Sequence, residues 1–341
     1  MRAWQTTKAG RPRDVLALNE SAPSPIPREG TVRLRVLAAG VGLPDALMCQ
    51  ASYALTPPLP FTQGQEVCGR VVDWGRDVLG RRAGDRVMAV TSFFTGNGSF
   101  AEECLALDDF CLPVPDDMSD AEAACFLIPG HTAYIALEAR AKLVPGETLL
   151  VLAGASGTGA AAIQVGRALG ARVLASVGDP AKAELCRALG AEQVFDHHAP
   201  DFAKQVVAAT GGRGANAIFD PVGGDLFTKA TQCIAQEGRL LAIGFASGRW
   251  GTVDMAHVVQ RNYSVVGVIP SGYDRAYKER AQERMVGWWR AGRLRIPVDE
   301  LVPFSALPEA LERLAAHQVK GKLALAVDPK ATCHASPTAA R

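Results

Sequence analysis

The residues from 148 to 164 constrain the fold of this chain more than any other stretch. They read Thr-Leu-Leu-Val-Leu-Ala-Gly-Ala-Ser-Gly-Thr-Gly-Ala-Ala-Ala-Ile-Gln. The unbroken apolar run at the start predicts a strand that is buried on both faces of a parallel sheet. Three closely spaced glycines follow, and apolar residues at helical spacing then continue to Gly170, a typical helix-ending glycine. The sequence therefore predicts a strand, a glycine turn and a helix in direct succession.

This succession is typical of a site for the pyrophosphate of a dinucleotide. Glycines lack a Cβ atom, so main-chain N–H groups can approach a phosphate closely, and the helix N-terminus adds a partial positive charge. We therefore expect a dinucleotide cofactor to bind the six residues of the turn. These residues are Gly154, Ala155, Ser156, Gly157, Thr158 and Gly159.

Strand and helix patterns alternate from residue 148 to residue 269. Apolar runs predict strands at 148–153, 172–177, 193–195, 217–222, 239–244 and 263–269. Helical spacing predicts helices at 160–169, 181–189, 201–209 and 225–236. This alternation predicts an α/β fold with a doubly wound parallel sheet and a dinucleotide across the ends of its strands.

The first 120 residues have a different pattern. Short β-type runs at 31–38, 69–73 and 86–91 are separated by turns rich in proline and glycine. This pattern predicts a compact, mostly β domain of Greek-key or barrel character. The stretch 270–330 is too short to fold alone, so we expect it to complete this first domain. Residues 331–341 are small and polar, and we expect a disordered tail.

Composition limits the partners of the chain. Its 341 residues are enough for two domains, and 36 basic and 35 acidic residues give a formal net charge of +1. This balance, without a basic block, argues against nucleic acid or an anionic membrane surface as a partner. The sequence has neither an apolar run of roughly 18 residues nor a signal-peptide core, and its eight cysteines show no paired spacing. We therefore expect a cytoplasmic protein that acts on a small molecule.

Several short motifs, in this order, resemble the medium-chain dehydrogenase/reductase superfamily. They are Gly-Asp-Arg-Val at 84–87, Gly-Ser-Phe-Ala-Glu at 98–102, the glycine turn, and Phe-Asp-Pro-Val-Gly-Gly-Asp at 219–225. The segments 58–66, 243–248 and 264–267 resemble, more narrowly, its zinc-free NADPH:quinone oxidoreductase branch. The resemblance implies a GroES-like catalytic domain over 1–122 and 270–330 and a Rossmann domain over 123–269 that binds NADPH.

Two positions bear on zinc. Where the zinc alcohol dehydrogenases of this superfamily carry a ligating Cys this chain has Gly42, and their Gly-His-Glu corresponds to Gly64-Gln65-Glu66. Glycine has no ligand atom, and a glutamine amide is a poor substitute for imidazole. The inserted loop with four cysteines is also missing, since 91–100 runs straight on. We expect no metal, so Lewis-acid polarisation of an alcohol is not expected, and this argues against alcohol oxidation.

The end of the second Rossmann strand bears on the choice of nicotinamide. An acid there would bind the ribose 2′-OH of NAD, but this chain has Ala-Ser-Val-Gly at 175–178. Lys182 falls where the branch carries a lysine for the 2′-phosphate, and Ser176 adds a hydroxyl donor. His197 stands in place of a phosphate-contacting Tyr and could serve if partly protonated. Asp179 would disfavour a phosphate, and Lys182 could be a solvated lysine instead. We expect NADPH.

The two neighbouring histidines are not expected to act together. His197 and His198 are adjacent in the sequence. Adjacent side chains on a strand or turn point apart, so we expect no ligand pair.

The resemblance also supplies two candidates for chemistry. Tyr53 aligns with the proton donor of related enoyl-thioester reductases, and a phenol suits that role because it is neutral at pH 7. Alternatively, Tyr53 is a loop aromatic that packs on Pro57 and Pro58. Asp45 resembles an active-site Asp of the branch, or it only caps a helix over 46–50. At Gly42 the branch usually carries an Asn, so its substrate specificity does not transfer directly.

Four further residues are expected near the cofactor by resemblance. Thr132 matches a family position at the nicotinamide end. Gly244 and Phe245 follow the fifth strand, where the main chain of the family approaches the nicotinamide amide. Lys322 resembles a C-terminal Gly-Lys of the family, with an exposed lysine as the alternative.

The resulting functional expectation is hydride transfer from NADPH to a quinone-type acceptor. One alternative is the reduction of a conjugated C=C next to a carbonyl or thioester, with Tyr53 as the acid. Another is an NADPH-binding protein with a crystallin-like or RNA-binding role, against which the intact glycine turn and the neutral charge argue. The strand at 263–269 would form an exposed sheet edge, and by resemblance we expect a homodimer through it.

Overall fold

The computed structural model describes residues 1–333. Its strands are β1 Ala3–Thr6, β2 Leu16–Asn19, β3 Thr31–Val41, β4 Glu66–Trp74, β5 Arg86–Thr91, β6 Glu103–Pro113, β7 Thr148–Val151, β8 Arg172–Val177, β9 Gln193–Asp196, β10 Ala215–Asp220, β11 Ile234–Ala242, β12 Ser264–Gly267, β13 Val298–Pro303 and β14 Lys322–Ala326. Its α-helices are α1 Pro12–Val15, α2 Leu43–Cys49, α3 Asp120–Tyr134, α4 Gly157–Ala168, α5 Ala183–Ala188, α6 Phe202–Ala209, α7 Gly224–Thr231, α8 Met255–Arg261, α9 Arg275–Arg290 and α10 Leu307–Ala315. A π-helical segment, Ile135–Arg140, continues α3.

The chain forms two compact units. The first contains Met1–Ile128, Asp274–Gln282 and the residues from Ile296 onward, and the second contains Pro129–Tyr273 and Glu283–Arg295. Across residues 1–333, no helix is both long and apolar enough to cross a membrane.

The second unit is built on a six-stranded parallel sheet. Its order is β12-β11-β10-β7-β8-β9, which is the 3-2-1-4-5-6 order of dinucleotide-binding sheets read from the opposite edge. The buried apolar runs identified in the sequence form these strands, so the prediction of a doubly wound α/β fold is confirmed. The helix predicted at 225–236 ends earlier, at Thr231, because β11 already begins at Ile234.

The first unit is built on a mostly antiparallel sheet. Its order is β13-β14-β3-β4-β5-β6, and a further pairing of β3 with β6 closes the four strands β3 to β6 into a barrel. Buried side chains such as Val32, Leu34 and Phe100 belong to the apolar core of this unit. The GroES-like architecture expected for the first domain is therefore confirmed.

The unit boundary differs from the expected one within α9. We expected all of 270–330 in the first domain, but Glu283–Arg295 belongs to the second unit. There, the rings of Trp288 and Tyr134 pack at a tilt with their centroids 5.8 Å apart, and the side chain of Gln164 hydrogen-bonds the main chain of Arg295. Because these contacts join residues that are far apart along the chain, they leave no signal in hydrophobic periodicity.

The end of the described chain is ordered by a specific contact. The side chain of Asp120 accepts hydrogen bonds from the main-chain N–H and the hydroxyl of Thr332, at 2.9 and 3.0 Å. The predicted disordered tail is therefore wrong for its first residues, and residues 334–341 lie outside the described part of the chain. Seven of the eight cysteines are buried and free, as expected, while Cys333 is exposed.

Candidate functional site

Strand register in the first unit brings Gly42, Glu66 and Lys322 together. β3 pairs with β4 so that Gly40 lies opposite Glu66, and with β14 so that Val41 lies opposite Leu323. Glu66 and Lys322 are therefore placed beside the end of β3, where α2 begins. A Cβ atom at Gly42 would lie 3.8 Å from Lys322 Nζ and 3.5 Å from Asp45 Oδ2. One cation and two acids thus meet at the start of α2.

Lys322 and Glu66 form a buried ion pair. Lys322 Nζ lies 3.1 Å from Glu66 Oε2, and Glu66 Oε1 accepts the main-chain N–H of Ile128 at 2.8 Å. Burial raises the pKa of Glu66. Burial would lower the pKa of Lys322, but the charge of Glu66 outweighs it and raises that pKa. The side chain of Lys322 is only 11% exposed, so the alternative of an exposed lysine is wrong.

Asp45 is a buried acid with an incomplete set of hydrogen bonds. It lies in the first turn of α2 and is 1% exposed. Its Oδ2 accepts the N–H of Gly42 at 2.9 Å, while Oδ1 has no hydrogen-bond partner among residues 1–333. Burial raises the pKa of Asp45 to about 7, against the opposing effects of the Gly42 N–H and Lys322. Asp45 can therefore hold or release a proton at neutral pH.

The helix-capping alternative for Asp45 is only partly correct. The helix starts at Leu43, earlier than the predicted 46, so Asp45 lies inside it. Its carboxylate does satisfy one N–H at the helix start, that of Gly42. This contact uses Oδ2 only, which leaves Oδ1 for another partner.

Tyr53 lies in the loop after α2 and is partly buried. It packs against the apolar cluster of Met48, Phe61 and Phe93, with 6.5 Å between its ring centroid and that of Phe93. Burial raises the pKa of the Tyr53 phenol, and a hydrogen bond with the Gln65 side chain opposes this rise. The phenol is therefore neutral at pH 7 and can donate a proton.

The positions compared with zinc ligands contain no metal-binding set. Gly42 contributes no side chain, and the amide of Gln65 interacts with Tyr53. Among residues 1–333, no group of three or more His, Cys, Asp or Glu side chains is arranged to hold a metal ion.

In the second unit, the glycine turn follows β7 as predicted. Ser156 caps α4, and its Oγ accepts the N–H of Gly159 at 3.1 Å. A Cβ atom at Gly159 would lie 2.3 Å from the carbonyl oxygen of Ala153, so only glycine fits there. Ala153 itself has a φ of 50°, in the left-handed region. The main chain of the turn is thus held tightly against the end of the strand and leads directly into the N-terminus of α4, where a helix carries the partial positive charge that attracts an anion.

Ser176 and His197 meet at the carboxyl ends of β8 and β9. Ser176 is fully buried, and its Oγ lies 3.2 Å from His197 Nδ1. Burial lowers the pKa of His197 to about 4, and the neighbouring His198 and Lys229 act in the same direction. His197 is therefore neutral at pH 7 in the free protein. The expectation that it is partly protonated needs this correction, because burial removes the water that would stabilise the charge.

The expectation that His197 and His198 point apart is wrong. Their ring centroids are 4.8 Å apart, because the carboxylate of Asp196 accepts the N–H of His198 at 2.8 Å and turns the chain after β9. Both Nε2 atoms face Gly178, since a Cβ atom there would lie 2.8 Å from one and 2.9 Å from the other. Side-chain hydrogen bonds of this kind, which create turns, are not visible in strand periodicity.

Lys182 lies at the end of a 3-10 turn, Pro180–Lys182, directly after β8. Asp179 caps this turn, and its Oδ1 accepts the N–H of Ala181 at 2.9 Å. The carboxylate that seemed unfavourable to a phosphate is thus partly engaged with the main chain. The carboxyl ends of the neighbouring strands β8 and β9 bring three of the predicted residues to the same side of the sheet. Ser176 lies near the end of β8, Lys182 follows β8, and His197 follows β9.

Gly244 and Phe245 follow β11, also at the carboxyl-end side of the sheet. The main-chain nitrogen of Gly244 lies 3.4 Å from the carbonyl oxygen of Asp220, and the rings of Phe245 and Trp250 pack at a tilt with their centroids 4.8 Å apart. Thr132 is nearly buried on α3 and lies outside the loops that follow the strands. The predicted cofactor residues of the sheet thus all lie at the carboxyl ends of its strands, whereas Thr132 lies on α3.

Two acids of the site were not selected from the sequence. Glu66 holds Lys322, and Asp220 accepts the N–H groups of Val222 and Gly223 at 2.8 and 2.9 Å through one oxygen. The second oxygen of Asp220 has no hydrogen-bond partner within residues 1–333, and burial raises the pKa of this carboxyl. Each acid lies at the end of an apolar strand, Glu66 at the start of β4 and Asp220 at the end of β10. Because a buried carboxylate must be paired or hydrogen-bonded, this position in the sequence could have identified them.

The fold and these sites define a two-domain α/β protein of the dehydrogenase type. One unit is a closed GroES-like barrel with buried ionisable groups, and the other is a dinucleotide-binding sheet with a glycine turn.

Comparisons with known proteins agree with this class. Residues 28–116 match the family described as alcohol dehydrogenase GroES-like domain, and residues 157–286 match the family described as zinc-binding dehydrogenase. The bovine (Bos taurus) quinone oxidoreductase-like protein 2 is 32% identical over 92% of this chain and 89% of its own. The rat (Rattus norvegicus) protein of that name is 36% identical over 74% of this chain and 71% of its own.

A solved structure is similar over nearly the whole chain. The Escherichia coli quinone oxidoreductase complexed with NADPH has a TM-score of 0.87 and 26% identity, and the match covers 96% of this chain and 100% of that one. The chain belongs to the medium-chain dehydrogenase/reductase superfamily and is an oxidoreductase of that superfamily, as the sequence motifs indicated.

Proposed function

We propose that this protein is an NADPH-dependent, zinc-independent oxidoreductase that reduces a quinone-type acceptor. The observation that carries the proposal is the turn after β7, where Gly159 leaves no room for a Cβ atom and the main chain leads directly into the N-terminus of α4. This cradle fits a pyrophosphate. The names of the relatives support the quinone as the acceptor class.

The second strand supports NADPH over NADH. β8 ends without an acid, and the proposal assigns the ribose and its 2′-phosphate to three residues near the carboxyl ends of β8 and β9, namely Ser176, Lys182 and His197. Gly244 and Phe245 would orient the nicotinamide end, and Thr132 would add a contact from α3. When bound, NADPH supplies the hydride.

The first unit supplies a proton in this proposal. Reduction of a quinone to a quinol consumes one hydride and one proton. Asp45 has a pKa near neutrality, so it can hold this proton and give it up. Lys322 would act through Asp45 and Glu66, keeping the start of α2 in place, rather than by touching the cofactor.

Zinc independence is supported by the chemistry of the donor set. Gly42 and Gln65 occupy the positions of the zinc ligands in related alcohol dehydrogenases, and neither offers a zinc-type ligand. Activity should therefore survive treatment with a strong chelator.

A second candidate function is the reduction of a conjugated C=C. The observation that favours it is Tyr53, whose neutral phenol hydrogen-bonds Gln65 and lies within the electrostatic reach of Asp45. In that reaction the phenol would protonate the α-carbon after hydride addition to the β-carbon.

The proposed homodimer uses β12. This strand is the last of its sheet, and within residues 1–333 it pairs with β11 alone, which leaves one edge of main-chain groups open. Met255, Val259 and Ile269 nearby are 64, 70 and 66% exposed. Open edges and exposed apolar residues both favour self-association. Light scattering after gel filtration tests this, and a monomer at micromolar concentration would refute it.

The activity test follows the absorbance of NADPH at 340 nm with purified, chelator-treated protein. An aromatic ortho-quinone and a 2-enoyl thioester are offered in parallel, each with NADPH and with NADH. Turnover of the quinone with NADPH supports the proposal, and turnover of the thioester alone supports the second candidate. Absence of turnover with both acceptors, or loss of activity on chelation that zinc restores, would refute it.

A further inference from the structure

The start of α2 leaves a small space beside a charged side chain. A Cβ atom at Gly42 would lie 3.8 Å from Lys322 Nζ and 3.5 Å from Asp45 Oδ2. Its nearest neighbour would be Cδ of Pro44, at 3.4 Å. All three are ordinary van der Waals distances, so the missing side chain leaves room for one atom of about methyl size. Gly42 and Pro44 are half-buried, so solvent reaches this Gly42 space.

Lys322 is the charged donor of the Gly42 space. An ammonium has three N–H donors, and the ion pair with Glu66 at 3.1 Å engages one of them. The main-chain N–H of Gly42 is already engaged by Asp45 Oδ2, at 2.9 Å. An oxygen atom in the Gly42 space would need to lie only about 1 Å closer to Nζ than the Cβ position to accept a hydrogen bond from Lys322.

We propose that Lys322 is a catalytic residue that binds the carbonyl oxygen of the acceptor in the Gly42 space and stabilises the negative charge that forms on it. This inference rests on the proposed function, because the acceptor is the same carbonyl compound. It adds a contact with the substrate to the role of Lys322 in holding α2. It also gives the missing side chain of Gly42 a function.

The electron balance of the reaction places negative charge on that oxygen. The acceptor gains a hydride with its two electrons from NADPH, which is oxidised to NADP⁺. An electron pair of the conjugated system then moves to the carbonyl oxygen, which becomes an oxyanion. Lys322 donates a hydrogen bond to this oxyanion and keeps its proton. Asp45, which borders the same space, supplies the proton that converts the oxyanion to a hydroxyl.

A partly buried ammonium suits this task because its position is fixed and little water competes for it. Glu66 holds Nζ in place, and the side chain of Lys322 is only 11% exposed. The attraction between Lys322 and Glu66 is the same before and after hydride transfer, whereas the attraction to the acceptor oxygen grows as charge forms. A donor of this kind lowers the barrier more than it strengthens substrate binding.

Gly42→Ala tests the space without altering the ion pair. The φ of Gly42 is −124°, which alanine adopts readily, and the new methyl group would make only ordinary contacts, so the fold should be kept. The kcat for an ortho-quinone should fall at least about tenfold, because the oxygen can no longer approach Nζ. Gly287→Ala, which also adds a methyl group to open space, is the matched control and should leave kcat unchanged.

A double variant, Lys322→Met with Glu66→Gln, tests the charge itself. It removes the ammonium without leaving a carboxylate buried alone, and glutamine keeps an oxygen for the N–H of Ile128. Circular dichroism melting confirms that each variant is folded. The kcat should fall about a hundredfold, the usual effect of losing one oxyanion donor, with a smaller change in KM.

A comparison of two ortho-quinones separates a contact with the oxyanion from a merely structural role. One quinone carries electron-releasing ring substituents and the other carries electron-withdrawing ones. The oxyanion of the electron-rich quinone is more basic and bonds the ammonium more strongly, so the double variant should lose more activity with that quinone. A variant that only disturbs the structure should slow both reactions by the same factor.

The outcomes distinguish this inference from the proposed function. A loss of kcat in both variants, with the greater loss for the electron-rich quinone, supports the role of Lys322. Normal kcat in either variant, or equal losses for the two quinones, overturns that role and leaves the proposed function standing. Absence of turnover by the wild type with NADPH and either quinone overturns the proposed function and this inference with it.

Discussion

The substitution Asp45→Asn measures how the ionisation of one buried carboxyl contributes to the free energy of unfolding. The carboxyl is 1% exposed, and burial raises its pKa from an ordinary value of 3.8 to about 7. Asparagine has nearly the same shape, keeps an oxygen for the N–H of Gly42 and carries no charge. The substitution therefore removes a titration and little else.

The sign and the size follow from proton linkage. Between pH 4 and pH 7 the folded protein keeps the proton on Asp45 and the unfolded chain loses it, so the wild type loses stability as pH rises. A difference of about three pKa units at 1.36 kcal/mol each corresponds to about 4 kcal/mol. Asp45→Asn should thus gain on the wild type as pH increases, by about 4 kcal/mol between pH 4 and pH 8.

Urea denaturation of both proteins at half-unit steps from pH 4.5 to pH 8 measures this difference. All other titrating groups are common to the two proteins, so their contributions cancel in the comparison. A free-energy difference that stays constant over this range would refute the raised pKa. The same variant should lose quinone reduction if Asp45 provides the proton, and unchanged kcat at pH 6 would remove it from that role.

Three further predictions address other parts of the molecule. Gly159→Ala forces a Cβ atom to within 2.3 Å of the Ala153 oxygen, so NADPH affinity should fall at least tenfold by fluorescence titration, whereas Gly287→Ala, with open space around it, should bind normally. Lys322→Met leaves Glu66 buried without its cation and should cost about 3–5 kcal/mol in urea denaturation, most of which a second substitution, Glu66→Gln, should restore. Tyr53→Phe should abolish any reduction of a 2-enoyl thioester and spare quinone reduction; an intact thioester rate would assign Tyr53 to packing alone.

The Rossmann unit could be predicted from the sequence because its signals are local. Six apolar runs, the glycine turn and the cap at Ser156 each lie within a few residues, and their order along the chain fixes a doubly wound sheet. The absence of an acid at the end of β8 and the substitution of the zinc-ligand positions are also properties of single positions. These features made the fold class and the superfamily predictable.

The state of the buried ionisable groups could not be predicted in this way. Lys322 meets Glu66 only because β14 and β4 flank β3 in one sheet, and 256 positions separate the two residues along the chain. The raised pKa of Asp45 depends on complete burial, which needs the barrel. A sequence shows that these residues can ionise, but it does not show how far folding removes them from water.

The close approach of the His197 and His198 rings also could not be predicted from the sequence. Adjacency along a strand predicted divergence, and one hydrogen bond to Asp196 turned the chain instead. The division of α9 between the two units likewise followed from packing around Trp288 and Gln164. The sequence by itself determined the elements and the kind of cofactor cradle, because those depend on local propensity and spacing. The tertiary structure decided which charged groups meet and which carry a proton, because these depend on distance and solvent in three dimensions.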